Sequence, residues 1–149
     1  MMARPYFDSN VFIDLMEGED ELALPLQAVL LRLRDRGVRV VASELVLAEV
    51  LVKARLNGGA PLYRKYLDLL VFSGTIDLQP VSRDLLYSVA DYRELTGAKV
   101  PDAIHVVTAV RCACPIILTR DDRMKLPADL IQIRSSDPHL PDLVDSHLK

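Results

Sequence analysis

The sequence predicts an α/β fold, a single-domain three-layer α/β/α sandwich around a central parallel sheet of about five strands. Two observations carry that expectation. Short apolar or β-branched runs alternate with stretches of helical spacing along the chain, which is the pattern of successive βαβ units. The runs are also continuous in hydrophobicity rather than alternating with polar residues, as expected of strands covered by helices on both faces.

Taken in order, Arg4–Asp8 is a short β-prone run in which Tyr6 and Phe7 lead into an acid. Val11–Leu15 then opens a helical stretch that stops near Gly18. Residues Glu21–Arg36 place Leu22, Leu26, Val29, Leu30 and Leu33 on helical spacing and end at Gly37, a suitable C-cap. Val38–Ala42 reads as a buried strand. Ser43 is a good N-cap for Glu44–Leu56, and Asn57-Gly58-Gly59 is expected to stop that helix. Leu62–Phe72 reads as a further helix, followed by the strand Ile76–Gln79. Ser82 caps a helix reaching about Thr96, and Gly97 ends it. Pro101 suits the first turn of a helix over Asp102–Cys112. Ile116–Thr119 is the fourth strand, Asp121–Lys125 a short turn or helix, and Leu130–Ile133 the fifth strand. From Asp137 two prolines suggest a surface extension. No repeat, linker or low-complexity block divides the chain, so residues 1–149 are expected to form one domain, with a core over about 4–135 and an extension over 136–149.

Half of the residues are hydrophobic, too many for a disordered chain, and a protein of this length buries roughly 70% of its unfolded surface. It needs neither a disulfide nor a metal scaffold to fold. No apolar stretch is long enough to span a bilayer, and residues 1–8 lack the apolar centre of a signal peptide. A soluble, cytoplasmic protein is expected. Cys112 and Cys114 fall two apart in a predicted helix and point in different directions, so no bridge between them is expected. The net charge of −3 argues against binding nucleic acid by bulk positive charge. It does not exclude a nucleic-acid enzyme whose acids are concentrated in one site, because setting aside four such carboxylates turns the balance positive.

Four acids stand in unusual company. Asp8 ends the first strand. Glu49 is the one charge between Leu45 and Val52. Asp102 opens the apolar run AIHVVTAV, and Asp121 follows the fourth strand by two residues. An ionised carboxylate in apolar surroundings is costly unless it neutralises or meets a cation. In a βαβ sheet, strand carboxyl ends and helix N-termini share one edge, which is where sites form. Asp8, Asp102 and Asp121 fall there directly. Glu49 is about six residues past Ser43, roughly 9 Å along its helix, and reaches the edge only if that helix crosses the sheet end.

Each acid also has an ordinary explanation. Asp8 can close a turn, Glu49 can pair with Lys53 one turn on, Asp102 can answer the helix dipole, and Asp121 or Asp122 can cap a short helix. Four separate causes at matching topological positions are less economical than one metal site. Oxygen-only donors suit hard cations such as Mg²⁺ or Mn²⁺.

The segments FDSNVFIDL, SELVLAEVLVKA, KVPDAIHVVTAV and ILTRDDRMK together resemble a PIN domain, and within that family the VapC-type ribonuclease toxins of toxin–antitoxin pairs. The resemblance covers about residues 4–135, and the block from Pro101 to His105 followed by Leu118-Thr119-Arg120-Asp121 is its most specific part. It implies that Asp8, Glu49, Asp102 and Asp121 are the metal-binding and catalytic acids. It matches Asn10 to a small polar position beside the first acid and Thr119 to a hydroxyl position near the last. It also implies an RNA substrate, a homodimer and a small antitoxin that blocks the site.

Asp122 competes locally with Asp121 for the fourth place, and alignment favours Asp121. His105 lies one turn beyond Asp102 and reads first as a packing histidine, with proton transfer or substrate contact as the alternative. Lys99, Arg120, Arg123 and Lys125 flank the acids and are candidates for RNA phosphate contacts. Two other functions compete. One is a non-catalytic PIN-like module that binds RNA or protein. The other is a phosphatase of the haloacid-dehalogenase type using Asp8, which wants a second acid where this chain has Asn10.

Overall fold

The structure is a computed structural model and describes residues 2–149. Its five strands are β1 (Tyr6–Phe7), β2 (Val40–Ser43), β3 (Ile76–Gln79), β4 (Ile116–Thr119) and β5 (Ile131–Arg134). They form one all-parallel sheet in the order β3-β2-β1-β4-β5. The helices are α1 (Ser9–Glu17), α2 (Asp20–Asp35), α3 (Leu45–Leu67), α4 (Arg83–Thr96), α5 (Val100–Arg111) and α6 (Leu140–His147). The chain winds outward from β1 through β2 to β3, then returns to the other side of β1 for β4 and β5. The strand order therefore reverses between β1 and β4, and a crevice opens there at the carboxyl ends.

Side chains alternate across the sheet and split the core into two layers. Phe7, Val40, Ala42, Ile116 and Leu118 pack against α1, α2 and α3. Tyr6, Val41 and Ile117 face the other way, against Val106 and Ala109 of α5. A smaller cluster of Leu85, Val89, Ala103, Ile104 and Val107 joins α4 to α5. Because β1 points Tyr6 toward α5, the residue two further on, Asp8, is aimed at the same side. That alternation directs the first acid to the α5 side of the crevice.

The expected strands and helices are present, with ends displaced by one to three residues, and two expectations need correction. Asn57-Gly58-Gly59 does not end the third helix. Gly59 leaves helical geometry at φ 65° and ψ −155°, but Pro61 restarts the helix at once, and α3 continues to Leu67 with a kink. A π-helical turn over Asp68–Phe72 then leads toward β3. Both arms of the kinked helix are anchored to the end of α1. Asn57 Nδ2 donates to Glu17 Oε1 at 3.4 Å, and the Tyr66 hydroxyl donates to Glu17 Oε2 at 2.5 Å.

The second correction concerns the C-terminus. Residues 136–149 are not a surface extension, because α6 lies against α2 and buries Leu140, Val144 and Leu148 in the main core. Each such burial is worth about 1.5–3 kcal/mol. Pro141 sits in the first turn of α6, where its missing N–H costs no hydrogen bond. Asp121–Lys125 is a turn without helix. Cys112 and Cys114 are free thiols on either side of Ala113, whose φ of 55° reverses the chain into β4.

Candidate active site at the carboxyl edge of the sheet

Asp8 leaves β1 as the N-cap of α1. Its Oδ1 accepts the Val11 amide at 3.2 Å, and Oδ2 accepts the Thr119 hydroxyl from the end of β4. Only 3% of the residue is exposed. Burial pushes the Asp8 carboxyl up from the ordinary aspartate range, and the Thr119 hydrogen bond offsets part of that rise. Thr119 is shared, since its Oγ1 also accepts the Asp121 amide at 3.0 Å. Asp121 in turn accepts the Arg123 amide at 2.9 Å. One hydroxyl thus ties the acid after β1 to the acid after β4.

Glu49 reaches the same edge from the second turn of α3. Its Oε1 accepts the Ser9 hydroxyl at 2.6 Å and lies 3.0 Å from His105 Nε2. Burial pushes the Glu49 carboxyl up, but hydrogen bonds from His105 and Ser9, with the charges of His105 and Lys53, outweigh it and hold it below the usual range. Glu49 is therefore an acceptor, which makes Nε2 of His105 the donor. Nδ1, on the other side of the ring, lies 2.6 Å from the Tyr6 hydroxyl. That phenol stays protonated, because burial and the nearby Asp8 charge raise its pKa well above normal. His105, only 3% exposed, is thus neither a mere packing residue nor open to substrate. It fixes Glu49 by a relay running from β1 through α5 to α3.

Asp102 stands in the first turn of α5. Among the described residues its carboxylate takes part in no hydrogen bond or ion pair. Burial raises its pKa, and the negative charge of Asp121 raises it further. Asp102 and Asp121 line a cleft of about 210 Å³ together with Lys99, Arg123 and Lys125. Lys125 is partly committed, its Nζ donating to the Thr96 carbonyl. A second cleft of about 480 Å³ shares Asp121 and Arg123 and adds Asn10, Arg120 and Asp122. Asp122 pairs with Arg134 at 2.8 Å on the surface, so Asp121 is the acid that faces Asp102. Arg120 approaches Asp14 rather than standing free.

The four predicted acids share one edge of the sheet but fall into groups, Asp8 with Thr119, Glu49 with His105, and Asp102 with Asp121. Among the described residues no three His, Cys, Asp or Glu side chains are gathered tightly enough to hold an ion as they stand. The donor chemistry nonetheless fits a hard divalent cation. Every member offers carboxylate oxygen, and the two raised aspartates carry the electrostatic cost that such a cation would relieve. The sequence reading missed Tyr6 and Ser9. Ser9 had a signal, a hydroxyl directly after the first acid; Tyr6 had none, since its role depends on a contact 99 residues away.

The PIN domain family model matches residues 6–130. No curated protein gives a significant sequence match. Among solved structures, a toxin–antitoxin complex from Klebsiella pneumoniae superposes with a TM-score of 0.63 at 23% identity, covering 85% of this chain and 95% of that one. VapC20 of Mycobacterium tuberculosis, described as a toxin cleaving the sarcin–ricin loop, gives a TM-score of 0.65 at 14% identity, with coverages of 80% and 92%. VapBC2 from Rickettsia felis, solved with a DNA fragment from its promoter, gives 0.63 at 14% identity, with coverages of 87% and 97%. At these identities the likeness is one of fold.

Proposed function

Because the chain belongs to the PIN-domain family, we propose that it is a divalent-metal-dependent endoribonuclease and the toxin of a toxin–antitoxin pair. The observation that carries this reading is the bare Asp102 carboxylate, facing Asp121 across a cleft at the topological switch point of the sheet. Asp8, Glu49, Asp102 and Asp121 are the residues that would hold Mg²⁺ or Mn²⁺. When bound, such an ion lowers the pKa of a water and offsets charge that develops on the scissile phosphate.

The remaining work falls to the chain itself. Thr119 and the Val11 amide hold Asp8 in one orientation, and Asp121 is fixed by the same hydroxyl. His105 and Ser9 keep Glu49 ionised and aimed. His105 is a positioning residue, since both of its nitrogens are occupied inside the protein. Lys99, Arg123 and Lys125 line the acid cleft and Arg120 its neighbour, so cations flank the acids where an RNA backbone must approach. The phosphatase alternative fits poorly, because it wants a second acid where this chain has Asn10.

A homodimer and a small antitoxin are part of the proposal, as is a cytoplasmic setting. Two features support partners. A solved toxin–antitoxin complex shares the fold, and α3 displays Val52 and Leu56, the latter 79% exposed. Among the described residues no helix is long and apolar enough to cross a membrane.

The test compares wild type with Asp102→Asn on total cellular RNA, with Mg²⁺ or Mn²⁺ and with EDTA, and maps new RNA ends by sequencing. Discrete ends that require metal and vanish in the variant are expected. Equal cleavage by both proteins would point to a contaminant. Metal binding without cleavage by wild type would favour the non-catalytic binding module.

A further inference from the structure

Asp14 has no part in the arrangement of acids described above, yet it is one of the most buried charged residues in the chain. It lies on α1 and is 4% exposed. Its Oδ2 is fully enclosed and accepts no aligned hydrogen bond. Arg120 Nε stands 3.1 Å from that same oxygen, close enough for ion pairing but outside hydrogen-bond geometry. A buried carboxylate held this way is a poor stabilising device, because its desolvation is only partly repaid. The partner is also unusual. The Arg120 side chain is 44% exposed, and this single approach through Nε is its one ion pair among the described residues. Four guanidinium N–H donors on the two Nη atoms are left over.

Arg120 follows Thr119 and precedes Asp121, so its backbone is fixed by the same turn that places the fourth acid. It lines the cleft with Asn10, Asp121, Asp122 and Arg123, and that cleft meets the Asp102 cleft at Asp121 and Arg123. We propose that Asp14 is a positioning residue that holds Arg120 by its Nε edge, presenting the Nη fork to a phosphate of the RNA strand beside the acid site. The inference rests on the RNA-cleaving reading for its ligand, but not on the metal or on the cutting step. A guanidinium gripped from behind by a buried carboxylate loses less freedom when it engages phosphate bidentately than a free surface arginine does.

The test is binding of a short fluorescein-labelled single-stranded RNA of mixed sequence, followed by anisotropy across a salt series in EDTA, so that cleavage does not intervene. Wild type, Arg120→Ala, Asp14→Asn and the double variant are compared, with a circular-dichroism melt for each. Arg120→Ala should weaken binding about 3–10-fold and reduce the salt slope by about 0.7, the share of one phosphate contact on a single strand. Asp14→Asn should weaken binding by a similar factor, although it removes a negative charge, and the double variant should bind no worse than either single one. If Asp14 were only a local charge, its neutralisation would tighten binding to a polyanion. Unchanged or tighter binding by a folded Asp14→Asn, or full binding by Arg120→Ala, overturns the inference, as does additive loss in the double variant. Arg120-dependent binding by a wild type that never cuts RNA overturns the nuclease reading and leaves this one standing. No binding by wild type in EDTA overturns this inference and leaves the nuclease reading to the cleavage test above.

Discussion

Glu49 and Asp102 are acids at the same edge of the same sheet, yet their surroundings differ in kind. Glu49 is held by Ser9 and by a histidine that a tyrosine holds in turn, and its pKa is lowered in spite of burial. Asp102 has no such partner, and its pKa is raised by burial and by Asp121. A partnered acid contributes to the folded protein as it stands. An unpartnered one is a cost to the fold that a bound cation can remove, so binding free energy is concentrated where the fold has left charge uncompensated.

The sharpest way to break this contrast is to neutralise the acids whose pKa the fold raises. Asp102→Asn and Asp8→Asn are expected to lower RNA cleavage at least about a thousandfold, roughly 4 kcal/mol of transition-state stabilisation. In EDTA the Asp102→Asn protein should melt about 2–5 °C higher than wild type, because an amide carries no charge in that unpartnered place. Retained cleavage in either purified variant would sink the metal-site assignment. A lowered melting point would show instead that the carboxylate is stabilising.

On the partnered side the signs reverse. His105→Leu removes the donor to Glu49 and the ring nitrogen beside the Tyr6 hydroxyl, leaving both buried groups without their partner. It should cost about 2–4 kcal/mol of stability in urea unfolding. Cleavage should fall about 10–100-fold through kcat, as expected when an outer residue no longer orients a ligand. A variant that is fully stable would contradict the relay from Tyr6 to Glu49.

The pH dependence of the metal-free protein separates the two acids without mutation. A carboxyl whose folded pKa is raised contributes stability that is present below its unfolded pKa and is lost as the pH rises through the folded value. Asp8 and Asp102 are of this type. Glu49 is the opposite case, its contribution being lost as the pH falls through its lowered folded pKa. In EDTA the melting temperature of wild type should therefore decline above the ordinary carboxylate range. Asp102→Asn should flatten that decline, and Mg²⁺ should reverse it. A melting temperature that rises steadily from acid to neutral pH, unaffected by Asp102→Asn, would contradict the raised values. Smallest of all, Ser9→Ala should cost about 0.5–1.5 kcal/mol, the net worth of one hydrogen bond, in the same unfolding experiment.

Much of this architecture could be read in the sequence because its signals are local. Val40, Val41 and Ile116–Leu118 announce buried strands, and Ser82 and Gly97 bracket α4 as caps should. The four acids stood out because each lies in or beside an apolar run at a position where βαβ topology gathers sites. What escaped reading depends on contacts or on competing signals. Leu140, Val144 and Leu148 recur every four residues, but the prolines at 138 and 141 masked that spacing. Gly58-Gly59 looked like a stop because nothing local reveals that Glu17 anchors both arms of α3. Asp14 carries no local mark within the Val11–Leu15 helical stretch, and only the packing of α1 under the Arg120 turn shows it buried. Residues with partners far along the chain are those that local patterns cannot assign.

The hydrogen bond from Thr119 to Asp8 spans 111 residues, and that separation has a consequence for synthesis. During translation Asp8 emerges early, but the strand that fixes it does not exist until β4 has been made and has paired with β1. At about 5–20 residues per second, that interval is roughly 6–22 s. Through it the nascent chain carries its first acids without the turn that completes their edge. On the nuclease reading proposed above, the site therefore acquires its complete edge only when most of the chain has emerged from the ribosome.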